Sequence, residues 1–290
     1  MAAPPFEILA ASGRRRPVVV ASPHSGRDYP PEFVRLSRLA PAALRSSEDC
    51  YVDELFALAP SAGAPLIRAL FPRAYVDVNR EPYELDPAMF ADELPDYVNR
   101  TSPRVAVGLG TIAGVVAEGA PIYAGKLRFA EAEARLAACY RPYHAALDRL
   151  VAGTVEAFGC CLLIDAHSMP SSSGREPARS RVDIVLGDRM GSSCHPLVTT
   201  TAERVLRKRG YSVALNAPYA GGFTTKHYGR PHEERHCLQV EINRALYMDE
   251  RTLARKPALG LIAADMAALV AALAELAVDL KGAGLSEAAQ

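Results

Sequence analysis

The chain alternates short apolar runs with longer segments of helical periodicity. Strands are predicted where short runs are apolar or alternate apolar and polar residues, at residues 17–21, 64–69, 160–164, 181–188, 211–215 and 238–244. Helices are predicted at residues 46–59, 127–158, 195–209 and 257–281. Pro142 and Gly153 are expected to kink or divide the second helix. Strands that alternate with helices predict an α/β fold whose sheet contains parallel strands.

One domain covering residues 1–290 is expected, because no repeat, linker or composition break interrupts the chain. Residues 1–16 are interpreted as a lead-in, and residues 105–112 and 122–123 as short strands. The long polar segment 81–104 is predicted to be a functional loop or a lid, and residues 216–236 are predicted to form a long glycine-rich polar loop.

Composition narrows the classes of function. Lysine plus arginine and aspartate plus glutamate number 33 each, so no basic excess favours a nucleic-acid partner. We expect no signal peptide and no membrane span, since charged residues interrupt even the Ala/Leu-rich segment 259–280. The six cysteines contain no Cys-x-x-Cys pair, which indicates buried thiols in a cytoplasmic protein.

Polar side chains with metal-binding chemistry follow the predicted inner strands. His24 comes after the first strand, Asp165 and His167 end the strand at 160–164, and Glu241 lies within the last strand. Open α/β sheets place their sites at such strand ends. Two histidines and a glutamate therefore predict a hydrolytic metal site.

A catalytic zinc ion takes three protein ligands and keeps one position open. His24 and His167 are the candidate histidine ligands, with ordinary hydrogen-bonded loop histidines as the alternative. The missing ligand is a carboxylate, and the third residue after His24 is Arg27. Asp49 and Asp53, four apart on a predicted helix, can supply it, although Asp49 can equally stabilise the helix N-terminus.

Asp165 and Glu241 each have two interpretations. Asp165 either orients His167 or accepts backbone hydrogen bonds where the strand ends. Glu241 is either a general base that activates water or the partner of Arg244 or another arginine in a salt bridge.

Anion recognition is predicted for Arg73, Asn79, Arg80 and Arg244, since arginine binds carboxylates in a bidentate manner. Ordinary surface charge is the alternative for each. A serine triad lacks support, because no Gly-x-Ser-x-Gly elbow is present. The Gly-x-Gly pair at residues 108–110 lacks the third glycine of a dinucleotide-binding fingerprint.

Six motifs together resemble the N-formylglutamate amidohydrolase family over about residues 18 to 250. They are Pro23-His24-Ser25-Gly26, Asp49-Cys50-Tyr51-Val52-Asp53, Val76-Asp77-Val78-Asn79-Arg80-Glu81, Asp165-Ala166-His167-Ser168-Met169-Pro170, the segment Gly221 to Gly229, and the segment Gln239 to Asp249.

The resemblance implies a fold similar to that of zinc carboxypeptidases and aspartoacylases, with a mixed central β-sheet flanked by helices. It implies Zn²⁺ as cofactor, with His24 and His167 as ligands and Asp49, in preference to Asp53, as the third. It implies Glu241 as the base.

The resemblance further implies that Asn79 and Arg80 bind the substrate carboxylate with help from Arg73. His227 is a candidate for stabilising the oxyanion or holding the second carboxylate, and a loop histidine bonded to backbone is its alternative. Thr225 and Arg244 complete the predicted substrate-binding residues.

The expected activity is release of formate from N-formyl-L-glutamate in histidine degradation. Alternatives are an amidohydrolase acting on another N-acyl amino acid, or an inert module that binds small acidic ligands. The expected partner is a small acidic N-acyl amino acid, without nucleic acid or membrane, and the oligomeric state is open.

Overall fold

A seven-stranded sheet forms the framework of the chain. The computed structural model describes residues 4–116, 119–171 and 182–287, with side chains up to residue 280. The strands lie in the order β1-β3-β2-β4-β7-β5-β6. Their bounds are β1 Phe6–Leu9, β2 Val18–Ser22, β3 Leu66–Ala69, β4 Cys161–Met169, β5 Ile184–Gly187, β6 Val213–Leu215 and β7 Arg235–Asn243.

The sheet is mixed. β2 pairs with β4, and β4 with β7, in parallel, whereas β5 runs antiparallel to β7 and parallel to β6. β4 is buried along its whole length, as expected of a central strand covered on both faces. The predicted α/β class with a mixed central sheet is confirmed.

Helices connect the strands. The α-helices of the described residues are α1 Pro31–Leu36, α2 Pro41–Leu44, α3 Val52–Leu55, α4 Phe129–Arg135, α5 Arg141–Phe158, α6 Pro196–Lys208, α7 Phe223–Tyr228 and α8 Leu259–Glu287. Short 3-10 helices occupy Arg45–Ser47, Ala59–Ala62, Pro87–Met89, Val105–Val107, Pro231–Glu233 and Arg244–Leu246.

The helix predicted at 46–59 is wrong in extent. Tyr51 has a left-handed backbone (φ 65°) immediately before α3, a conformation that a continuous helix cannot contain. Asp49 therefore precedes the helix, and the predicted common helical face for Asp49 and Asp53 does not exist.

Three further predictions differ from the structure. Residues 105–112 and 122–123 form a 3-10 turn and an isolated bridge instead of strands. The lead-in contains β1, and the strand at 160–164 continues to Met169. Arg181, where another strand was predicted to begin, lies outside the described residues.

The helical segment predicted at 127–158 is divided once. A π-helical turn, Leu136–Tyr140, separates α4 from α5 directly before Pro142. Proline lacks the N–H that the preceding turn needs, which explains the division. Gly153 lies inside α5 without interrupting it.

Two compact units can be distinguished. The first comprises Met1–Glu7, Pro23–Glu48 and Arg68–Leu147, and the second Ile8–Ser22, Asp49–Ile67 and Asp148–Gln290. The prediction that residues 1–290 form one domain stays a prediction.

Each unit has its own apolar cluster. In the second unit, alternate residues of β2, β4 and β7 pack with α3, α6 and α8. In the first unit, Phe33, Leu44 and Ile122 pack together. The guanidinium of Arg135 lies over the rings of Phe33 and Tyr75 there, with 4.6 Å to the Tyr75 centroid.

The C-terminal helix α8 contains a stretch, Leu259–Leu280, that is long and apolar enough by length and composition to cross a membrane. On this helix, four side chains are completely buried in the apolar cluster of the second unit: Met266, Leu269, Val270 and Leu273. A core helix of a globular protein has this character.

All six cysteines are free and buried. Burial raises the pKa of Cys139 to about 11 and that of Cys161 to about 12. These thiols pack as small apolar side chains.

Candidate metal and substrate site

Strand β4 presents His167 and Asp165 on one face of the sheet. Its alternate residues Leu162, Ile164 and Ala166 belong to the apolar cluster, so Asp165 and His167 lie on the opposite face. The Nε2 atom of His167 lies 3.0 Å from Asp165 Oδ1. The two groups form a buried ion-pair contact, so the carboxylate of Asp165 acts on the imidazole ring through its charge.

The other ring nitrogen of His167 faces Asp49. Its Nδ1 atom lies 3.0 Å from Asp49 Oδ2, and Asp49 Oδ1 accepts a hydrogen bond of 3.0 Å from Nη2 of Arg244. Arg244 also donates from Nε to Ser168 Oγ at 3.1 Å. All four residues are buried, so Arg244 is placed against Asp49, where its charge offsets the cost of burying the carboxylate.

The charges around His167, Asp165 and Asp49 make this group of side chains attractive to a cation. Burial opposes protonation of His167, yet the Asp165 carboxylate and the hydrogen bond to Asp49 raise its pKa well above the usual value. A field that holds a proton on His167 also favours a metal cation in the same place.

Glu241 lies next to His167 on the adjacent strand, β7. It is the Cα partner of His167 in the parallel pairing of β4 and β7. Val240 and Ile242 belong to the apolar cluster, which places Glu241 on the polar face of the sheet. Its Oε1 atom accepts a hydrogen bond of 3.0 Å from Nε2 of Gln239.

In the first unit, His24 follows the end of β2 and is held by Asp77. Nε2 of His24 lies 2.8 Å from Asp77 Oδ1. With Nε2 hydrogen-bonded to a carboxylate, Nδ1 is the ring atom suited to ligation. The segment after His24 is closely packed, since a Cβ atom on Gly26 would overlap the carbonyl oxygen of Phe71.

Asp77 also connects to the predicted anion binders. Its Oδ2 accepts a hydrogen bond of 2.9 Å from Arg73, its Oδ1 accepts one of 2.8 Å from the backbone N–H of Asn79, and Arg80 lies 3.7 Å away. Burial raises the pKa of Asp77, but the charges of Arg80, His24 and Arg73 outweigh it and hold the pKa well below the usual value. Asp77 is therefore ionised.

Arg80 is buried and fixed by backbone carbonyls. Its Nε donates to Leu109 O and its Nη1 to Asn79 O, each at 2.8 Å. A guanidinium held in this way is pre-organised for a planar acceptor such as a carboxylate.

The two predicted residues of the glycine-rich loop lie on α7. Thr225 is buried and donates from Oγ1 to Gly222 O at 2.9 Å. His227 is exposed and stacks on Phe223, with ring centroids 5.0 Å apart. Desolvation lowers the pKa of His227 below its usual value, so its ring is neutral at pH 7.

Two buried histidines and one aspartate can hold a metal ion. One ligand atom from each of His24, Asp49 and His167 lies within 4.8 Å of the others, and all three residues are buried. Among the described residues, this group contains Asp49, and Asp53 lies outside it. Two imidazoles and one carboxylate are a donor set typical of catalytic zinc.

Asp77 and Gln239 are two residues of the site to which the sequence pattern alone assigns no role. Asp77 precedes Asn79-Arg80 by two residues, and Gln239 precedes Glu241 by two, so each shares a face with a predicted site residue if the strand period holds. That spacing is the signal from which both residues could have been found.

Comparisons with known proteins agree with the predicted family. The sequence profile of the N-formylglutamate amidohydrolase family matches residues 16–248. The N-formylglutamate deformylase of Pseudomonas aeruginosa is 31% identical over 253 residues, which cover 84% of this chain and 87% of that protein. The N-formylglutamate deformylase of Pseudomonas putida is 29% identical over 247 residues, 84% of this chain and 86% of that protein.

Solved structures agree in fold. The crystal structure of N-formylglutamate amidohydrolase from Ralstonia eutropha JMP134 is 39% identical, covers 94% of this chain and 98% of its own, and superposes with a TM-score of 0.89. A gene product from Agrobacterium tumefaciens, 19% identical, covers 94% of this chain and 96% of its own with a TM-score of 0.68; at that identity the likeness shows the fold alone.

Proposed function

Because the chain belongs to the N-formylglutamate amidohydrolase family, we propose that it hydrolyses the amide bond of N-formyl-L-glutamate, releasing formate and L-glutamate. The observation that carries this proposal is the buried group of His24, Asp49 and His167. Family membership makes the enzyme a hydrolase acting on an amide, and this group supplies a place for the cation such a reaction uses.

The proposed cofactor is zinc. His24, Asp49 and His167 would hold it, since two imidazoles and a carboxylate suit zinc and leave a coordination position open. When bound, zinc polarises a carbonyl oxygen and lowers the pKa of water.

Glu241 is proposed as the general base. It would take a proton from the attacking water and deliver it to the leaving nitrogen of glutamate, a role that requires a carboxylate within reach of both atoms. Its position beside His167 across the β4–β7 pairing supports this assignment.

Arg80 and Asn79, with Arg73, are proposed to bind the substrate carboxylate. Arg80 is already fixed by two backbone carbonyls, so little side-chain entropy is lost on binding. Thr225, His227 and Arg244 stay candidates for further contacts; the neutral ring of His227 suits hydrogen bonding better than pairing with a carboxylate.

The product chemistry matches a late step of histidine degradation, and we propose that pathway and a cytoplasmic location. The buried free cysteines support a reducing compartment.

The test is a formate-release assay on purified protein combined with metal analysis. We expect stoichiometric zinc, loss of turnover on chelation and recovery when zinc is restored. Glu241→Gln should lower kcat by about 10²–10⁴-fold, whereas Glu54→Gln, which removes a surface carboxylate paired with Arg255 at 2.6 Å, should leave kcat unchanged.

A substrate panel decides the acyl group. Formyl-, acetyl- and succinyl-glutamate and the aspartate analogues are compared, and we expect the highest kcat/KM for N-formyl-L-glutamate. Hydrolysis of another analogue at a higher kcat/KM would reassign the substrate, and zinc binding without any hydrolysis would leave a binding module.

A further inference from the structure

We propose that Gln239 is a positioning residue, which orients Glu241 and ties it to the Gly221–Gly222 turn before α7. This inference rests on the proposed function, in which Glu241 is the general base. Gln239 lies in the centre of β7 and only 4% of it is exposed.

The direction of the Gln239 amide follows from its partners. The backbone N–H of Gly222 can only donate, and it lies 3.0 Å from Oε1 of Gln239. The amide oxygen must therefore face Gly222, which leaves the NH₂ group facing Glu241 Oε1 at 3.0 Å. A buried amide held from both sides has a single orientation.

The strand geometry explains why these two side chains meet. Residues two apart on a strand lie on the same face, and Val240 between them belongs to the apolar cluster on the other face. On β4 the partners of Gln239 and Glu241 are Asp165 and His167. Gln239 therefore supplies a hydrogen-bond donor at a position flanked by carboxylates.

A glycine on the other neighbouring strand brings the turn within reach. Gly187 on β5 is the Cα partner of Gln239. A Cβ atom there would lie 2.8 Å from Ala220 C and 2.9 Å from Gly221 N. The absence of a side chain lets this segment lie directly against the sheet, where Gly222 meets Gln239.

The turn itself is pre-organised. Gly221 has φ +124°, a conformation that residues with a side chain rarely adopt, and a Cβ atom added there would clash with Thr225 Oγ1. Thr225 Oγ1 also donates to Gly222 O. Gln239 thus links the candidate base to a rigid turn that begins the helix carrying Thr225.

Orientation matters because the last torsion of a glutamate is broad. A hydrogen bond from the Gln239 amide selects one carboxylate rotamer and costs no reorganisation during the reaction. Loss of that bond is expected to act on kcat, since small displacements of a reacting group have large effects on rate.

The experiment compares two Gln239 variants with a control on the same strand. Gln239→Met keeps the length of the side chain and removes both hydrogen bonds. Gln239→Glu keeps an acceptor for Gly222 and replaces the donor to Glu241 with an oxygen. Cys237→Ala, on the same face and completely buried, removes packing and leaves both hydrogen bonds of Gln239 in place. Each is measured for Tm, zinc content, kcat, KM and the Kd of L-glutamate.

Both Gln239 variants should lower kcat by about tenfold or more, with KM, zinc content and the Kd of L-glutamate unchanged. Cys237→Ala should lower Tm with kcat unchanged, which separates positioning from a general structural effect. A folded Gln239→Met or Gln239→Glu variant with wild-type kcat overturns the inference. So does a loss that appears in KM and the Kd of L-glutamate instead of kcat.

Failure of the proposed function has a different outcome. A zinc-loaded wild-type protein that releases no formate overturns the proposed function and this inference together. An active wild type, an inactive Glu241→Gln variant and unaffected Gln239 variants overturn this inference alone.

Discussion

Asp188 illustrates how single carboxylates organise the polar loops of the second unit. Located directly after β5, it accepts hydrogen bonds of 2.8 Å from Gly191 N, Asn216 Nδ2 and Thr199 Oγ1. Burial raises the pKa of Asp188, but these hydrogen bonds outweigh it and hold the pKa below the usual value of an aspartate. The folded state therefore favours the charged carboxylate.

Asp188→Asn should lower the free energy of unfolding by about 1–3 kcal/mol at pH 7, because at least one buried donor loses its acceptor. The wild-type contribution is fully present above the unfolded pKa and is lost as pH falls through the lower folded pKa. The difference between the proteins should therefore shrink below about pH 4, the ordinary pKa of an aspartate. Urea unfolding at several pH values measures it, and a pH-independent difference would contradict the electrostatic explanation.

Asp165 permits a second test at the level of one residue. Its carboxylate lies 3.0 Å from Nε2 of His167, so Asp165→Asn should lower zinc affinity by about 10–100-fold. Competition with a chromophoric chelator measures the affinity. Asp188→Asn is the matched control, and an equal loss of zinc affinity in both variants would show that Asp165 acts only through stability.

At the scale of elements, the sequence pattern located β2, β4, β7 and the long helices, because apolar runs and helical periodicity are local properties. Position along an element was harder to predict. The strand β4 continues through Asp165 and His167 because β7 pairs with it as far as Met169, a non-local cause. The interruption at Tyr51 likewise depends on tertiary contacts, among them the hydrogen bond from its hydroxyl to Leu253 O at 2.6 Å.

The same distinction holds for the candidate site. His24, His167 and Glu241 could be predicted from strand ends, whereas the pairing of Arg244 with Asp49 joins residues 195 positions apart. The contact between Gln239 and Gly222 depends on the register between β5 and β7, which no local pattern encodes.

Two glycine substitutions, one after β2 and one inside α5, are expected to change the stability of the protein in opposite directions. In the Gly26→Ala variant, the added Cβ atom would overlap Phe71 O and lie 2.6 Å from Leu70 C. Because both are backbone atoms that cannot move easily, the free energy of unfolding should fall by about 1–3 kcal/mol. Gly153→Ala meets nothing within 4 Å inside α5 and should raise stability by about 0.5–1 kcal/mol. Thermal and urea unfolding measure both, and a stabilised Gly26→Ala variant would contradict the packing of this turn.

At the scale of the whole molecule, a metal bound only by the folded protein stabilises it by mass action. Free zinc at about 100 times its Kd should raise the free energy of unfolding by about 2.7 kcal/mol. His24→Ala and His167→Ala should each abolish this increase while the chelated forms still unfold cooperatively. Urea titrations with and without zinc provide the measurement; a full zinc effect in either variant would exclude that histidine as a ligand.

The buried thiols described above have a use as reporters of motion. Only the thiolate reacts with alkylating reagents, so with pKa values of about 11 for Cys139 and about 12 for Cys161 the native protein should be labelled slowly at pH 8. Cys139 belongs to the first unit and Cys161 to the second. Labelling rates at these two positions, followed by mass spectrometry, would therefore time the opening of each unit separately. Equal rates at every urea concentration are expected of one cooperative domain.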